Sequence, residues 1–444
     1  MAAVVSQLMV GQVLCSSSTK YTIIEFTGEG SFGKVAKCQV NSTCEIVAVK
    51  ILKDEVVQNV QHELSMLSRI STLDPDHFNV VKFYEKFEYF GYTCLVFELL
   101  EKDLFQFVIN DLCSSMYVHQ IRPIAKQMLV ALQGLQYRGV IHADIKVDNV
   151  MLANNEENSY KVKLIDFGLA LPSSAARCGM KLQPIGARAP EVCLGLPFTE
   201  VIDMWGLGCM LAFLYLDYGL FPVHCEYLMM QSMVELLGMP ADYQLNSGVH
   251  TKRFFSQKDD EFGSGWRLLT PVEYSAINAK GAQEWDAWRC HFKSWDDLLY
   301  IYEEEDAEEF KDRRVFIDFL KQVLHPDGEE RISPTEALQH PFITMSHLGQ
   351  DPDSSDYLTK AQEFMSKCKN EDIDKEQEVQ LSPGQLANSC ESVEVHEEPL
   401  DKFLLTPVME DVPIPAPKRF RNVWKFFSRI QKTFLGCFFP SVQE

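Results

Sequence analysis

The chain has 444 residues, with 41 Lys and Arg against 63 Asp and Glu, which gives a formal net charge of −22. This acidic balance argues against a general nucleic-acid-binding protein, whose binding surface would be basic, so we expect no direct nucleic-acid partner. The hydrophobic content of 46% is that of an ordinary soluble globular protein. The sequence contains no uninterrupted run of about 18 apolar residues, so we expect no membrane-spanning helix. Thirteen cysteines without metal-ligand spacing indicate reduced thiols in the nucleus or cytoplasm.

The first part of the chain is predicted to form a small β-rich lobe. Residues 1–20 are mildly apolar but have no basic segment before the apolar run, so we interpret them as a lead-in to the first strand and not as a signal peptide. Residues 21–97 contain short runs of β-branched and aromatic residues, broken by Gly, Asn or charge. One segment between these runs has apolar residues at helical spacing and predicts a single helix: Val60, Leu64, Leu67 and Ile70.

The rest of the chain divides into three parts by composition. Residues 98–343 contain long apolar-faced segments such as "IRPIAKQMLVALQGLQYRG", which predict a larger, mainly helical lobe. Residues 344–417 are crowded with Asp and Glu and predict an acidic, disordered linker. Residues 418–440 reverse the charge and predict a basic amphipathic helix. We therefore predict an α+β fold with two lobes and a cleft between them.

A glycine-rich segment lies between two predicted strands. Its three glycines let backbone N–H groups come close to a phosphate. The setting is strand to strand and not strand to helix, which argues against a dinucleotide-binding fold. A Walker loop is excluded because no Gly-Lys-Ser/Thr follows. By itself this motif is weak evidence for a nucleotide site, and its candidate residues are Gly28, Glu29, Gly30, Ser31, Phe32 and Gly33.

Lys50 and Glu63 form a second candidate group. Taken alone, Lys50 in "VAVK" could be an edge-strand lysine that reaches water, and Glu63 a solvated helix residue. The functional interpretation pairs them. A carboxylate that holds the ammonium in place would aim it at nucleotide phosphates.

The stretch "GVIHADIKVDNVML" places polar residues among apolar ones, which indicates a use for each of them. Asp144 is suited to orient an attacking hydroxyl and accept its proton, and Lys146 to neutralise charge on a phosphoryl group in transfer. Asn149 and Asp166, the latter in "KVKLIDFGLA", are hard oxygen donors suited to Mg²⁺. His142 is interpreted as a support of this loop through a backbone hydrogen bond and not as a base.

Taken in order, "GEGSFGKV", "VAVK", Glu63, "HADIKVDN", "DFG" and "APE" resemble a eukaryotic protein kinase over residues 21–343. Segments such as "ARAPEVCLGLPFTEVIDMWGLGC" are most similar to the homeodomain-interacting protein kinases, relatives of the dual-specificity tyrosine-regulated kinases. The resemblance implies the two-lobed kinase fold and the use of ATP and Mg²⁺ as cofactors. It also implies transfer of the γ-phosphate to Ser or Thr hydroxyls of protein substrates, and transcription-related proteins among the partners.

The resemblance assigns roles at the adenine end of the site. Phe97 would be the gatekeeper residue, and the backbone from Glu98 to Leu100 would meet the adenine. Val35 and Ala48 would lie on either side of the ring.

The resemblance also implies three features that hold the shape of the site. Asp203 would brace the catalytic loop from a buried helix, and Glu191 would pair with Arg331. Ala143 precedes the catalytic Asp, as in the subfamily resembled here. Without an Arg at that position, a phosphate-clasping switch behind the loop is not available.

The segment from residue 166 to residue 191 departs from the family because it contains no Tyr and no Thr. Lys181 stands where the family has a self-phosphorylated Tyr, and Pro184 and Ile185 replace a Ser-Arg pair whose Arg helps accept proline after the target residue. We expect nucleotide binding to be retained, tyrosine-dependent maturation to be absent, and proline direction to be weakened or lost. The alternative is a nucleotide-binding, weakly active or inactive kinase-like adaptor that competes for partners of related kinases.

The predicted helix at residues 418–440 carries aromatic residues on one face and basic residues on the other. Such a helix suits an anionic membrane surface or a groove on a partner. Folding back onto the acidic remainder of the chain is an equal alternative. The sequence therefore leaves localisation open between nucleus and cytoplasm. Peripheral membrane association through this helix is a further expectation.

Overall fold

The computed structural model describes residues 8–30, 33–53, 57–153, 160–260, 263–277, 292–302, 306–349 and 355–367. The candidate residues Ser31 and Phe32 lie outside these ranges, as do the predicted linker beyond residue 367 and the predicted helix at residues 418–440. Within these ranges, every helix is too short or too polar to cross a membrane.

The small lobe is a six-stranded antiparallel sheet in the order β1-β2-β3-β4-β6-β5. Residues assigned to the lead-in take part in this sheet, because Val13 pairs with Thr22. Helix α1, which follows β4, confirms the single predicted helix. The elements of the small lobe are β1 (Val13–Cys15), β2 (Lys20–Gly30), β3 (Gly33–Val40), β4 (Ile46–Lys53), α1 (Val57–Ile70), β5 (Phe83–Tyr89) and β6 (Tyr92–Glu98).

The large lobe is mainly helical, as predicted. Its helices are α2 (Leu104–Gln106), α3 (Val118–Tyr137), α4 (Pro190–Leu194), α5 (Val201–Leu216), α6 (Glu226–Leu237), α7 (Asp242–Ser247), α8 (Pro271–Ile277), α9 (Trp295–Leu299), α10 (Ala307–Val323), α11 (Pro334–Ala337), α12 (Pro341–Thr344) and α13 (Asp356–Lys367). Three short antiparallel pairs join β7 (Val140–Ile141) to β10 (Leu171–Pro172), β8 (Val150–Leu152) to β9 (Val162–Leu164), and β11 (Phe255–Asp260) to β12 (Gly263–Leu268).

Helix α5 lies at the centre of the large lobe. Nearly all of its residues are buried, as expected for a helix that is apolar on all sides. Close packing around it depends on Gly208, where an added Cβ would lie 2.6 Å from the Cγ of Leu324. The buried carboxyl group of Asp203 is carried by this same helix.

The prediction of a disordered linker from residue 344 is wrong for its first part, because residues 356–367 form helix α13 against α3. A stripe of apolar residues at helical spacing explains the helix, and an average over the acidic composition hides that stripe. The buried members of the stripe are Tyr357, Leu358 and Ala361.

Helix α13 also closes over a buried ion pair. The side chains of Arg122 and Asp312 pair with each other and are both 0% exposed. The Tyr357 hydroxyl donates to Asp312 Oδ2 at 2.5 Å, and His347 Nε2 lies 2.8 Å from Asp312 Oδ1. A buried carboxylate is stable only when its oxygens are bonded, so Tyr357 makes α13 part of the folded lobe.

We predict that Tyr357→Phe lowers the free energy of unfolding by about 1.5–3 kcal/mol, because a buried carboxylate loses one donor. Urea denaturation measures this change. Lys360→Ala, on the exposed side of the same helix, serves as the control and is expected to change stability by less than about 0.5 kcal/mol. Equal stability of Tyr357→Phe and the parent protein would contradict the docking of α13.

The same contact predicts a pH dependence. Burial opposes the charge of Asp312, but His347, Arg122 and Tyr357 outweigh this effect and hold the pKa of Asp312 below its ordinary value. Stabilisation by these contacts is therefore present above the unfolded pKa of about 3.9 and is lost as the pH falls through the folded pKa. The stability difference between Tyr357→Phe and the parent should shrink on acidification below about pH 4.

Candidate functional site

One face of the small-lobe sheet lines the candidate site. The antiparallel register places Val35 opposite Lys50 and Ala48 opposite Phe97. Directly opposed residues lie on the same face of a sheet, and so do alternate residues along a strand. Val35, Ala48 and Lys50 are half-buried, whereas Val49 between the last two is buried on the other face. The result is an apolar surface with one ammonium group beside it.

The described glycines of the glycine-rich segment lie in β2 and β3, which pair with each other, as the strand-to-strand setting predicted. Glu29 pairs with Lys34, and Gly30 pairs with Gly33. A Cβ at Gly33 would lie 2.1 Å from the Ile51 carbonyl oxygen, so packing against β4 requires glycine there. At Gly28, no atom of the described residues lies within 4 Å of an added Cβ. Packing does not explain this second glycine, which leaves the backbone open to close approach.

The candidate pair of Lys50 and Glu63 is in contact. The Lys50 ammonium donates to Glu63 Oε1 at 2.8 Å and to Oε2 at 2.9 Å. It also donates to Asp166 Oδ1 at 3.2 Å, which joins both lobes at one cation. Glu63 is 5% exposed, so the alternative of a solvated helix residue does not hold.

The charges in this cluster support one another. Burial disfavours the charge of Lys50, but the carboxylates of Asp166 and Glu63 outweigh it and raise the pKa of Lys50. Burial likewise opposes the charge of Asp166, and the Lys50 ammonium holds the pKa of Asp166 below its ordinary value. Burial raises the pKa of Glu63, which Lys50 only partly offsets. The cluster therefore presents an ammonium and the Asp166 carboxylate in their charged forms.

The loop after β7 organises a second carboxylate. Asn149 donates from its side-chain nitrogen to Asp144 Oδ2 at 2.7 Å and to the Asp144 carbonyl oxygen at 2.9 Å. Lys146 Nζ lies 3.0 Å from the same Oδ2 atom. Because the amide nitrogen of Asn149 is committed to Asp144, the amide oxygen is the atom it offers to a cation.

Helix α5 braces this loop through Asp203, as expected. Asp203 Oδ2 accepts the His142 N–H at 2.6 Å, and Oδ1 accepts the Ala143 N–H at 2.8 Å. Ala143 has a φ of +62°, a left-handed conformation that costs about 1 kcal/mol for a residue with a Cβ. Burial raises the pKa of Asp203 to about 7, although the two N–H donors oppose that rise. The carboxyl group thus holds a strained backbone next to Asp144.

His142 contacts the backbone of the loop through both ring nitrogens. Its Nε2 lies 3.0 Å from the Ile165 carbonyl oxygen, and the Asp144 N–H donates to its Nδ1 at 3.3 Å. Burial lowers the pKa of His142, so the ring is neutral, with the proton on Nε2. The interpretation of His142 as a support agrees with these contacts.

The donor set fits Mg²⁺. The backbone N–H of Ile165, just before Asp166, donates to the Asn149 carbonyl oxygen at 2.9 Å, which ties the two candidate metal-binding residues together. Among the described residues, no three His, Cys, Asp or Glu side chains are placed to hold a metal ion by themselves. A site with one carboxylate and one amide oxygen suits Mg²⁺, which commonly completes its coordination with water and substrate phosphates.

At the connection between the lobes, the candidate residue Glu98 is held by two residues that the sequence did not reveal, Lys82 and Lys163. The Glu98 N–H donates to the Lys82 carbonyl oxygen at 3.0 Å, so this N–H is not available to a nucleotide. The Glu98 carboxylate accepts Lys163 Nζ at 2.7 and 3.0 Å, and Lys163 also bonds Asp76 at 2.7 Å. The only signal for Lys163 in the sequence is its position between two apolar residues of β9.

The segment from residue 166 to residue 191 is also held by contacts that the sequence did not reveal. Arg188 and Arg253 both donate to the carboxylate of Glu226. Arg188 further donates to the carbonyl oxygens of Leu182 and Gln183, each at 2.8 Å. Burial opposes the charge of Glu226, but the neighbouring cations, first the two arginines, outweigh it and hold its pKa low.

The end of this segment is fixed as expected. Arg331 donates to Glu191 Oε1 at 2.7 Å and to Oε2 at 2.9 Å, in a fully buried two-bond contact. Arg331 also bonds the carbonyl oxygens of Val201 and His325. Helices α4 and α5 are thereby anchored to the loop before α11.

Comparison with known proteins gives a consistent result. The family model described as "Protein kinase domain" matches residues 21–343. Homeodomain-interacting protein kinase 2 of Mesocricetus auratus is 42% identical over 82% of this chain and 32% of its own length. Homeodomain-interacting protein kinase 1 of Caenorhabditis elegans is 36% identical over 92% of this chain and 49% of its own length. Homeodomain-interacting protein kinase 4 of Homo sapiens is 34% identical over 77% of this chain and 58% of its own length.

We predict that Asp203→Asn lowers the free energy of unfolding by about 1.5–3 kcal/mol. An amide has one acceptor oxygen and places an NH₂ group against the second buried N–H donor, so His142 or Ala143 loses its partner. Asp242→Asn, the same change at an exposed position in α7, is the control and is expected to be neutral. Equal denaturation curves for Asp203→Asn and Asp242→Asn would show that the brace is not needed.

Proposed function

The chain belongs to the protein kinase family, and we propose that it transfers the γ-phosphate of ATP to Ser or Thr hydroxyls of protein substrates in a Mg²⁺-dependent reaction. The observation that carries this proposal is the cluster in which Glu63 and Asp166 hold the Lys50 ammonium between the lobes. Phosphoryl transfer depends chiefly on positioned charge, and such a cluster supplies it.

Each charged group of the site has a proposed part in the reaction. Lys50 binds and orients the phosphates of the nucleotide, while Glu63 keeps the ammonium in place. Among the described residues, Asn149 and Lys146 both contact Oδ2 of Asp144, which leaves Oδ1 to accept the proton of the attacking hydroxyl. Lys146 neutralises charge on the transferred group. When bound by Asp166 and Asn149, Mg²⁺ supplies further neutralisation of the phosphates.

We further propose that the segment from residue 166 to residue 191 is ordered without tyrosine phosphorylation. Lys181 offers no hydroxyl to phosphorylate, and the Glu226 carboxylate already provides an anion for Arg188 and Arg253. One carboxylate shared by two guanidinium groups resembles the way a phosphate fixes an arginine cluster. At the peptide side, Ile185 offers neither charge nor a side-chain donor, which supports a weakened preference for proline-directed substrates.

The partners and localisation of the chain are proposals as well. The relatives carry the words "homeodomain-interacting" in their names, and we propose transcription-related proteins as partners of this chain by similarity. Residence in the nucleus or cytoplasm, and a membrane or partner contact through residues 418–440, stay predictions.

A second function is a nucleotide-binding adaptor with little transfer activity. The replacement of the family's Ser-Arg pair by Pro184 and Ile185 favours this alternative, because it changes the peptide side of the site and leaves the nucleotide side complete. The two functions differ in whether phosphate incorporation depends on Asp144.

We predict that Asp144→Asn lowers the rate of peptide phosphorylation at least about 100-fold, because the proton acceptor is lost. The dissociation constant for MgATP should change less than about threefold, since Asp144 does not hold the nucleotide. A radiolabelled phosphate assay and calorimetry measure the two quantities, with Asp242→Asn as the control. Equal, negligible incorporation by the parent and Asp144→Asn, with MgATP binding kept, would favour the adaptor.

We also predict that Glu226→Gln lowers kcat/KM for a peptide substrate about tenfold, because two guanidinium groups lose their shared counter-charge. MgATP affinity should stay unchanged, and treatment of the parent with a tyrosine phosphatase should not reduce its activity. Glu235→Gln, at an exposed position of the same helix, is the control. Loss of parent activity after phosphatase treatment would contradict the proposal.

A further inference from the structure

Lys163 is a buried lysine outside the cluster at Lys50. It lies in β9, three residues before Asp166, and is 2% exposed. Its ammonium donates to Glu98 Oε1 at 2.7 Å, to Glu98 Oε2 at 3.0 Å and to Asp76 Oδ1 at 2.7 Å. An ammonium has three N–H donors, so these contacts account for its full capacity. Burial of an ammonium group is unfavourable unless the group is paired and hydrogen-bonded, so its presence here indicates a specific structural role.

The first partner of Lys163 lies at the connection between the lobes. Glu98 ends β6, and the backbone from Glu98 to Leu100 is where adenine is expected to bind. Glu98 Oε1 also accepts the Lys82 N–H at 2.6 Å, and the Glu98 N–H returns a bond to the Lys82 carbonyl oxygen at 3.0 Å. The backbone of Lys82 thus holds both the side chain and the backbone of Glu98.

The strand that carries Lys163 is itself firmly held. The Leu164 N–H donates to the Asn79 carbonyl oxygen at 2.8 Å, and the Val81 N–H donates to the Leu164 carbonyl oxygen at 2.9 Å. The next residue, Ile165, donates to the Asn149 carbonyl oxygen at 2.9 Å. Lys163 therefore extends from the strand that leads into Asp166. The position of Lys163 is fixed relative to Asp166 and Asn149.

The electrostatic balance at this point depends chiefly on Lys163, with Lys161 and Lys82 as weaker cationic neighbours of Asp76. Lys163 separates two carboxylates, those of Glu98 and Asp76, and it bonds both of them. The pKa of Asp76 is held below its ordinary value, first by its hydrogen bond to Lys163. Without the ammonium, two anions would face each other across the space it occupied, and the largely buried Glu98 carboxylate, 20% exposed, would lose two bonds.

We propose that Lys163 is a positioning residue that fixes the Glu98–Leu100 backbone relative to Asp166, so that adenine and phosphates of one nucleotide are bound at a set distance. This inference rests on the proposed nucleotide-dependent function. It predicts a specific defect: loss of Lys163 weakens recognition of the adenine end and leaves the phosphate end unchanged.

The test compares Lys163→Met with the parent, using the full-length chain. Methionine keeps much of the length of the side chain and removes its charge. We expect the dissociation constant and KM for MgATP to rise about tenfold, and kcat to change less than about threefold. The dissociation constant for magnesium tripolyphosphate, which has no adenine, should change less than about twofold. Lys321→Met, the same change in charge at an exposed position of α10, is the control and should leave all of these values unchanged.

A double variant separates positioning from a general loss of packing. If Lys163 acts through Glu98, then Lys163→Met should raise the MgATP dissociation constant less than about threefold when it is added to Glu98→Gln. Should Lys163→Met fail to fold, Glu98→Gln alone tests the same contact from the other side. Glu98→Gln is then expected to weaken the binding of MgATP about tenfold and to leave the binding of magnesium tripolyphosphate unchanged.

Two results would overturn the inference. One is an unchanged MgATP dissociation constant in Lys163→Met, or in Glu98→Gln where the first variant does not fold. The other is an equal loss of affinity for MgATP and tripolyphosphate, which would indicate a general effect on the fold. Failure of the proposed function is a distinct outcome, because in that case the parent itself would not bind MgATP.

Discussion

The contact on which the site depends is the ion cluster of Lys50, Glu63 and Asp166. Each member comes from a different part of the fold: strand β4, helix α1 and the segment after β9. Burial penalises each charge separately, so the cluster is stable only when all three elements are in place. The cluster thereby joins α1 to strand β4 and to the segment after β9. His62 on the same helix, 2.6 Å from the Ala170 carbonyl oxygen, adds a second link.

The large lobe supplies a rigid base for this cluster. Two residues of the site, Ala143 and Asp166, have left-handed backbone conformations, with φ of +62° and +61°. Such conformations persist only where the surroundings impose them. At Ala143 the buried carboxyl group of Asp203 does so, and Asp203 lies in a helix surrounded by the core. The strain at Ala143 is thereby offset by packing elsewhere in the lobe.

The sequence predicted the parts of the site that follow from local spacing or from resemblance to a family. The prediction that Lys50 pairs with Glu63 rests on the joint use of a strand lysine and a helix glutamate. The brace at Asp203 and the pair of Glu191 with Arg331 are implied by the resemblance. Contacts that depend on tertiary packing alone were missed. Lys163 reaches Asp76 and Glu98 across 87 and 65 residues, and no local pattern links them. Helix α13 was missed because acidic composition outweighed a short apolar stripe.

The central claim is that the cluster around Lys50 binds the phosphates of ATP in the presence of Mg²⁺. Calorimetric titration of MgATP into the full-length chain and into Lys50→Met tests it most directly. The account predicts one nucleotide bound per parent chain, and an affinity at least about tenfold weaker in Lys50→Met, with both proteins folded to the same extent. A folded parent chain that takes up no MgATP, or equal affinity in the two proteins, would contradict it.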